Sequence, residues 1–191
     1  MERLGLFGGS FNPVHHGHLL VAQAALEELE LTRLFFIPAA QSPFKPHLIP
    51  AAASERLRCL RLALAGWRCC EIDEQELARA GPSYSIETVR DYARRFPGAS
   101  LFYLIGADHV AQLPKWRSAT ELAGLVEFVI IARPGETAAL PPAPFRSRRL
   151  GGFPLAVSSS QVRERVKAGL PIDLLTPPAV AEAVRHNGLY L

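Results

Sequence analysis

The sequence predicts an α/β domain with a mainly parallel, doubly wound sheet and a helical C-terminal portion. Three observations carry this. Short apolar runs alternate with segments of helical character along the chain, the pattern of β-α-β units with right-handed crossovers. Three of these runs empty into glycine or charged loops, and ligands of such sheets bind beyond the carboxyl ends of the strands. No internal repeat is visible, and 191 residues suit one domain spanning 1–191.

The elements follow in order. Leu4 to Phe7 is a buried strand ending at Gly8-Gly9, and residues 18–29, rich in Ala, Leu and Glu, form the helix after it. Leu34-Phe35-Phe36-Ile37 is a second strand, stopped by Pro38. Residues 39–53 carry Pro43, Pro46 and Pro50 and little periodicity, and a loop of that length is more often functional than decorative. Ser54 is expected to N-cap a helix reaching about Ala65, and Cys69 to Ile72 to form a short strand. Residues 73–80 are polar and end at Gly81-Pro82. A helix over 85–95 is stopped by Pro97-Gly98. Leu101 to Ile105 and Val126 to Ala132 are further strands, and 133–154, rich in Pro, Gly and Arg, is expected to be irregular. Ser158 and Gln161 have capping-box spacing for a helix to about Ala168. Thr176-Pro177 has N-cap and N1 character for a last helix ending near Asn187-Gly188.

Composition narrows the function. Hydrophobic residues at 49% and charged residues at 20% are globular values, which excludes disordered and collagen-like chains. With 21 Lys+Arg against 18 Asp+Glu the net charge of +3 does not identify a polynucleotide binder. Cys59, Cys69 and Cys70 are odd in number and lack C-x-x-C spacing; they read as reduced, mostly buried thiols. Neither a signal-type N-terminus nor an apolar run of membrane-spanning length is present, so the expected location is cytoplasmic.

The sharpest local signal is Gly8-Gly9-Ser10-Phe11-Asn12-Pro13-Val14-His15-His16-Gly17-His18, between the first strand and its helix. The glycines allow backbone N–H groups to approach an anion, the helix N-terminus adds partial positive charge, and His15 and His18 supply donors on one side. On spacing alone a metal site or plain capping stays open, although no Cys or carboxylate in the segment completes a zinc shell. Neither G-x-G-x-x-G nor G-x-x-x-x-G-K-[ST] is present.

The segment resembles the H-x-G-H signature of the nucleotidyltransferase superfamily, with His15, Gly17 and His18 in place, and Val157-Ser158-Ser159-Ser160-Gln161-Val162-Arg163 is similar to a second signature about 140 residues on. Beyond these, the whole chain resembles bacterial nicotinate-nucleotide adenylyltransferases: Ser42-Pro43-Phe44-Lys45, Gly81-Pro82-Ser83-Tyr84-Ser85-Ile86-Glu87-Thr88, Tyr103-Leu104-Ile105-Gly106-Ala107-Asp108 followed by Trp116, and Gly188-Leu189-Tyr190 carry the likeness. Ser10, Asn12 and His109 stand where that family more often has Thr, Asp and Ser.

The resemblance implies a Rossmann-like domain that transfers AMP from ATP to nicotinate mononucleotide, giving deamido-NAD and pyrophosphate in NAD biosynthesis. Attack on the α-phosphorus in line, without a covalent intermediate, asks mainly for positioning and charge neutralisation. His15, His18, Lys45 and Arg163 are the implied catalytic set. ATP would meet Gly8, Gly9, Ser10, Phe11, His18, Gly106, Asp108, Ser158, Ser159 and Arg163; the nicotinate nucleotide would meet Lys45, Tyr84, Ser85 and Trp116. On their own, Lys45 reads as a solvated loop lysine, Asp108 equally as a helix N-cap, and Trp116, like Trp67, as core. Mg²⁺ is expected to arrive bound to ATP rather than in a protein cage. The expected partners are these two small molecules, not nucleic acid or membrane, with a homo-oligomer left open. Nicotinamide mononucleotide or phosphopantetheine as acceptor, or a non-catalytic nucleotide sensor, are the competing readings.

Overall fold

The computed structural model describes residues 1–41, 49–79, 81–132, 135, 139–153 and 155–191. Its centre is a six-stranded sheet, all parallel: β1 (Arg3–Gly9), β2 (Arg33–Pro38), β3 (Cys70–Ile72), β4 (Ser100–Gly106), β5 (Glu127–Ile131) and β6 (Ser147–Arg149), in the spatial order β3-β2-β1-β4-β5-β6. The order reverses between β1 and β4, the place where such sheets open a ligand crevice.

Strand alternation sorts the side chains into two cores. Phe7, Leu34, Phe36, Phe102, Leu104 and Val129 face one side, where α1 (His16–Glu28), α2 (Ala53–Ala63), α6 (Ser159–Lys167) and α7 (Pro178–His186) bury Ala22, Leu60, Val162 and Val184 against them. Leu4, Leu6, Phe35, Ile37, Tyr103, Ile105 and Phe128 face the other, covered by α4 (Ser85–Arg95) and α5 (Ala119–Leu125) through Ile86, Val89, Tyr92 and Leu122. With both faces covered, the strands read in sequence as unbroken apolar runs. The segments after β1 and β2 therefore lie on one face, and those after β3 and β4 on the other.

Several local expectations need correction. The α2 N-cap is Ala52, and Ser54 lies inside the first turn without capping it. Residues 73–80 contain the short α3 (Gln75–Ala78). A 3₁₀ segment, Ala107–Lys115, follows β4 at once, so Gly106 rather than Asp108 takes its N-cap position. The stretch expected to be irregular holds β6, an edge strand whose Arg148 pairs with Glu127 of β5. The last helix starts one residue late, with Pro177 at the cap and Pro178 at N1. By contrast, the α6 start matches expectation, because the Ser158 hydroxyl accepts the Gln161 N–H at 3.2 Å.

The three cysteines are free: Cys59 is buried, Cys70 half-buried and Cys69 exposed. Burial pushes Cys59 up to about 11 and Cys70 up to about 12, so neither is a thiolate near neutral pH. Trp67 is half-buried against the first core. Among the described residues no helix is long and apolar enough to cross a membrane.

Candidate active site

At the switch point between β1 and β4 lies a cleft of about 570 Å³, lined from several distant stretches of chain. Of the residues expected to contact ligands, it brings together Gly8, Gly9, Ser10, His15 and His18 from the β1–α1 turn, Gly106 and Asp108 from the end of β4, Ser158, Ser159 and Arg163 from the start of α6, and Ser85 and Trp116 on the opposite wall. Tyr84 faces a smaller adjoining cavity shared with Lys115, Trp116 and Arg117, and Arg117 lies over its ring at 4.7 Å. Phe11 lies below the surface, 1% exposed, with its ring 5.0 Å from that of His18. Lys45 lies outside the described residues.

The two histidines form one unit. His15 caps α1 in extended conformation and is 6% exposed. The His15 backbone N–H donates to Nδ1 of His18 at 3.2 Å, and the two rings stack with centroids 3.7 Å apart. With Nδ1 occupied as an acceptor, Nε2 is the nitrogen of neutral His18 that carries the proton. Burial, then the proximity of His15, holds His18 well below the ordinary imidazole range. A neutral N–H donor results. Gly17 makes the stack possible, since a Cβ there would stand 3.0 Å from the His15 ring.

Arg163 donates from Nη1 to the Asn12 carbonyl at 2.8 Å and from Nη2 to the Ser160 hydroxyl at 3.1 Å. It thus couples α6 to the β1–α1 turn while facing the cleft. Ser159 does the same, its hydroxyl donating to the Pro13 carbonyl at 2.9 Å. The Ser159 proton is therefore spent within the protein, whereas Ser158 only accepts and keeps its own O–H for an anion beside the backbone N–H groups of the helix start. Asp108 is exposed in the cleft, and its carboxylate folds back over Gly106, where no side chain stands in the way.

The opposite wall, where Ser85 and Trp116 were expected, is a hydrogen-bonded layer that also includes Glu76, which no residue pattern revealed. Glu76 of α3 is 4% exposed and accepts from Thr88 at 2.7 Å and from the Ser83 hydroxyl; burial raises its carboxyl above the usual range. Ser83 in turn accepts the Ala40 N–H at 3.1 Å, which ties this wall to the loop after β2. Tyr103 donates to Ser85 at 2.8 Å, and Gly8 lets that phenol approach β1, a Cβ there standing 3.0 Å from it. Trp116 is half-buried, its ring edge-to-face with Tyr103 at 6.2 Å and with His109 at 6.3 Å, so one ring serves both core and cleft.

Arg56 is the largest surprise. Only 2% exposed, it donates to the carbonyls of Ser10 at 2.8 Å, Ala39 at 2.9 Å and Ala51 at 3.1 Å. One guanidinium thereby clamps the turn after β1 to the loop after β2, and its charge sits beneath the cleft floor. Burial lowers its pKa. The sequence did carry a signal: Arg56 stands on the same α2 stripe as the buried Leu60 and Ala63.

Among the described residues no group of three or more His, Cys, Asp or Glu could hold a metal ion. The described donor set therefore offers no protein cage for a metal ion.

Residues 6–165 match the cytidylyltransferase-like family. The chain is 39% identical over 190 residues to a probable nicotinate-nucleotide adenylyltransferase of Opitutus terrae, covering 98% of this chain and 97% of the relative. It is 37% identical over 193 residues to the nicotinate-nucleotide adenylyltransferase of Bacillus subtilis, covering 100% and 99%. Its fold matches the Plasmodium falciparum nicotinic acid mononucleotide adenylyltransferase complexed with NaAD, with a TM-score of 0.77 at 14% identity, over 100% of this chain and 98% of that one.

Proposed function

The chain belongs to the cytidylyltransferase-like family and within it to the nicotinate-nucleotide adenylyltransferases, and on that premise we propose that its cleft, within one nucleotidyltransferase domain over 1–191, joins ATP to nicotinate mononucleotide. The products are deamido-NAD and pyrophosphate. The observation that carries the residue assignment is the meeting of the His15–His18 stack with Arg163 and the α6 start on one side of the cleft.

In this reading the triphosphate lies across the two helix starts, with Gly8, Gly9 and Ser10 along the phosphates and adenosine. Two N-termini and one guanidinium give positive potential where negative charge builds. His18, a neutral Nε2–H donor, bonds the α-phosphoryl oxygens as the mononucleotide phosphate attacks, and His15 holds its ring in place. Arg163 takes the β- and γ-phosphates that leave as pyrophosphate, and Lys45 the transferring group. Asp108 accepts from ribose hydroxyls. Trp116 stacks on the pyridine ring beside Ser85 and Tyr84. ATP is used as its magnesium complex, the ion held by phosphates and water.

Pyrophosphate release with ATP and, in parallel, nicotinate mononucleotide, nicotinamide mononucleotide and phosphopantetheine tests the assignment. A kcat/KM highest for the nicotinate form is expected. Preference for either other acceptor overturns it.

A further inference from the structure

The Gly188-Leu189-Tyr190 stretch has no part in the chemistry above, yet Tyr190 reaches the turn that carries it. Its hydroxyl donates to Oδ1 of Asn12 at 2.9 Å. Asn12 is 2% exposed and lies behind the cleft lining rather than on it. The same Oδ1 accepts the Ala51 N–H at 3.1 Å, so both of its lone pairs are used, and the Asn12 main-chain carbonyl is the one Arg163 holds. Asn12 is thus a junction: one residue joins the loop before α2, the guanidinium of α6 and the Tyr190 phenol to the turn between Ser10 and His15.

Two backbone observations agree with a junction under constraint. Phe11, next to Asn12, has φ +44 and Tyr190 has φ +68, left-handed conformations that bulky side chains keep only where their surroundings over-determine them. The Tyr190 ring supplies such surroundings by packing against the first core. Burial raises the phenol above its usual range, so it stays a donor through neutral pH.

We propose that Tyr190 is a positioning residue for ATP, acting through the Asn12 side-chain carbonyl to set the β1–α1 turn and Arg163. This rests on the reading that the turn and Arg163 bind the triphosphate. Removing the phenol leaves Oδ1 with the Ala51 N–H as its one partner and weakens the hold on the residue whose main-chain carbonyl Arg163 grips. The acceptor wall's bonds from Tyr103 to Ser85, from the Ala40 N–H to Ser83 and between Ser83 and Glu76 run through neither Asn12 nor Tyr190, so Tyr190→Phe should leave mononucleotide affinity untouched.

Calorimetric titration of magnesium ATP without acceptor, and separately of nicotinate mononucleotide, onto wild type, Tyr190→Phe, Asn12→Ala and the double variant tests this, with melting temperatures alongside. Tyr190→Phe keeps the ring and is expected to weaken ATP about tenfold, the order of one buried hydrogen bond, while mononucleotide binding stays within about twofold. In the Asn12→Ala background it should add nothing. Unchanged ATP affinity, equal weakening of both ligands, or full additivity with Asn12→Ala overturns the proposal; if Asn12→Ala does not fold, the ATP-against-mononucleotide split of Tyr190→Phe decides alone. Because ATP binding needs no acceptor, wild type that binds ATP but releases no pyrophosphate with nicotinate mononucleotide would overturn the functional reading and leave this one standing or falling on the titration.

Discussion

Replacing Arg56 by Met removes the clamp under the cleft while filling much of the same apolar space. Three carbonyl acceptors, on Ser10, Ala39 and Ala51, lose a charged donor. A hydrogen bond to a charged group contributes about 1.5 to 3 kcal/mol. The lower figure applies, because Met also relieves the desolvation of a buried guanidinium. Three bonds at about 1.5 kcal/mol each give a loss of about 4 to 5 kcal/mol. For a chain of this size each kcal/mol moves the midpoint by about 2 to 4 °C, so thermal unfolding should fall by roughly 8 to 20 °C. Arg56→Lys should recover only part, since one ammonium cannot span three carbonyls that a planar fork reaches. Circular dichroism melts read the stability, and initial rates of pyrophosphate release well below both midpoints read the cleft, where kcat/KM for ATP should drop at least about tenfold. A midpoint within about 3 °C of wild type, with unchanged ATP kinetics, would refute the clamp.

Two further outcomes follow from the site. Because the folded-state pKa of His18 lies well below that of an unfolded imidazole, the unfolded chain takes up its proton first on acidification; the stability this neutral ring contributes is present above about pH 6.5 and is lost as pH falls below it. His18→Gln should therefore lose less stability than wild type between about pH 7 and pH 5, and parallel urea-denaturation profiles across that window would contradict the buried neutral ring. Trp116→Ala should raise KM for nicotinate mononucleotide by roughly 5- to 150-fold, from about 1 to 3 kcal/mol of stacking per ring, with KM for ATP within about twofold; a lowered melting temperature with unchanged acceptor KM would make the indole a packing residue alone.

The sheet was legible because strands covered on both faces keep an unbroken apolar signature, and β1, β2, β4 and β5 all have it. Ser147-Arg148-Arg149 does not, since β6 is a three-residue edge strand whose side chains reach solvent. The Ala107–Lys115 segment hid for a different reason: it carries Pro114 and turns with 3₁₀ rather than α periodicity. In the cleft, His15 and His18 stood out by their clustering in the turn after the first strand, whereas Ser158 and Arg163 were marked only by the likeness to a second family signature; all four line the same cleft. Arg56 sits in the mostly polar Ser54-Glu55-Arg56-Leu57-Arg58 segment, and only the stripe it shares with Leu60 and Ala63 points it inward. Glu76 and Ser83 act through partners on other elements, and a single sequence carries no trace of which distant polar groups will meet.

Asn12 takes its hydrogen bonds from residues 39, 151 and 178 positions away along the chain. Closing loops of those lengths costs entropy before any of the three bonds can form. The hydrogen bonds that hold the β1–α1 turn at Asn12 are therefore non-local, however well the turn's own glycines suit it, and they form only when the segments around Ala51, Arg163 and Tyr190 are docked. The same dependence runs backwards in the native state. Any fluctuation that lifts α6 or the Tyr190 segment away opens the turn, so a nucleotide that binds only the ordered turn suppresses openings far from where it sits.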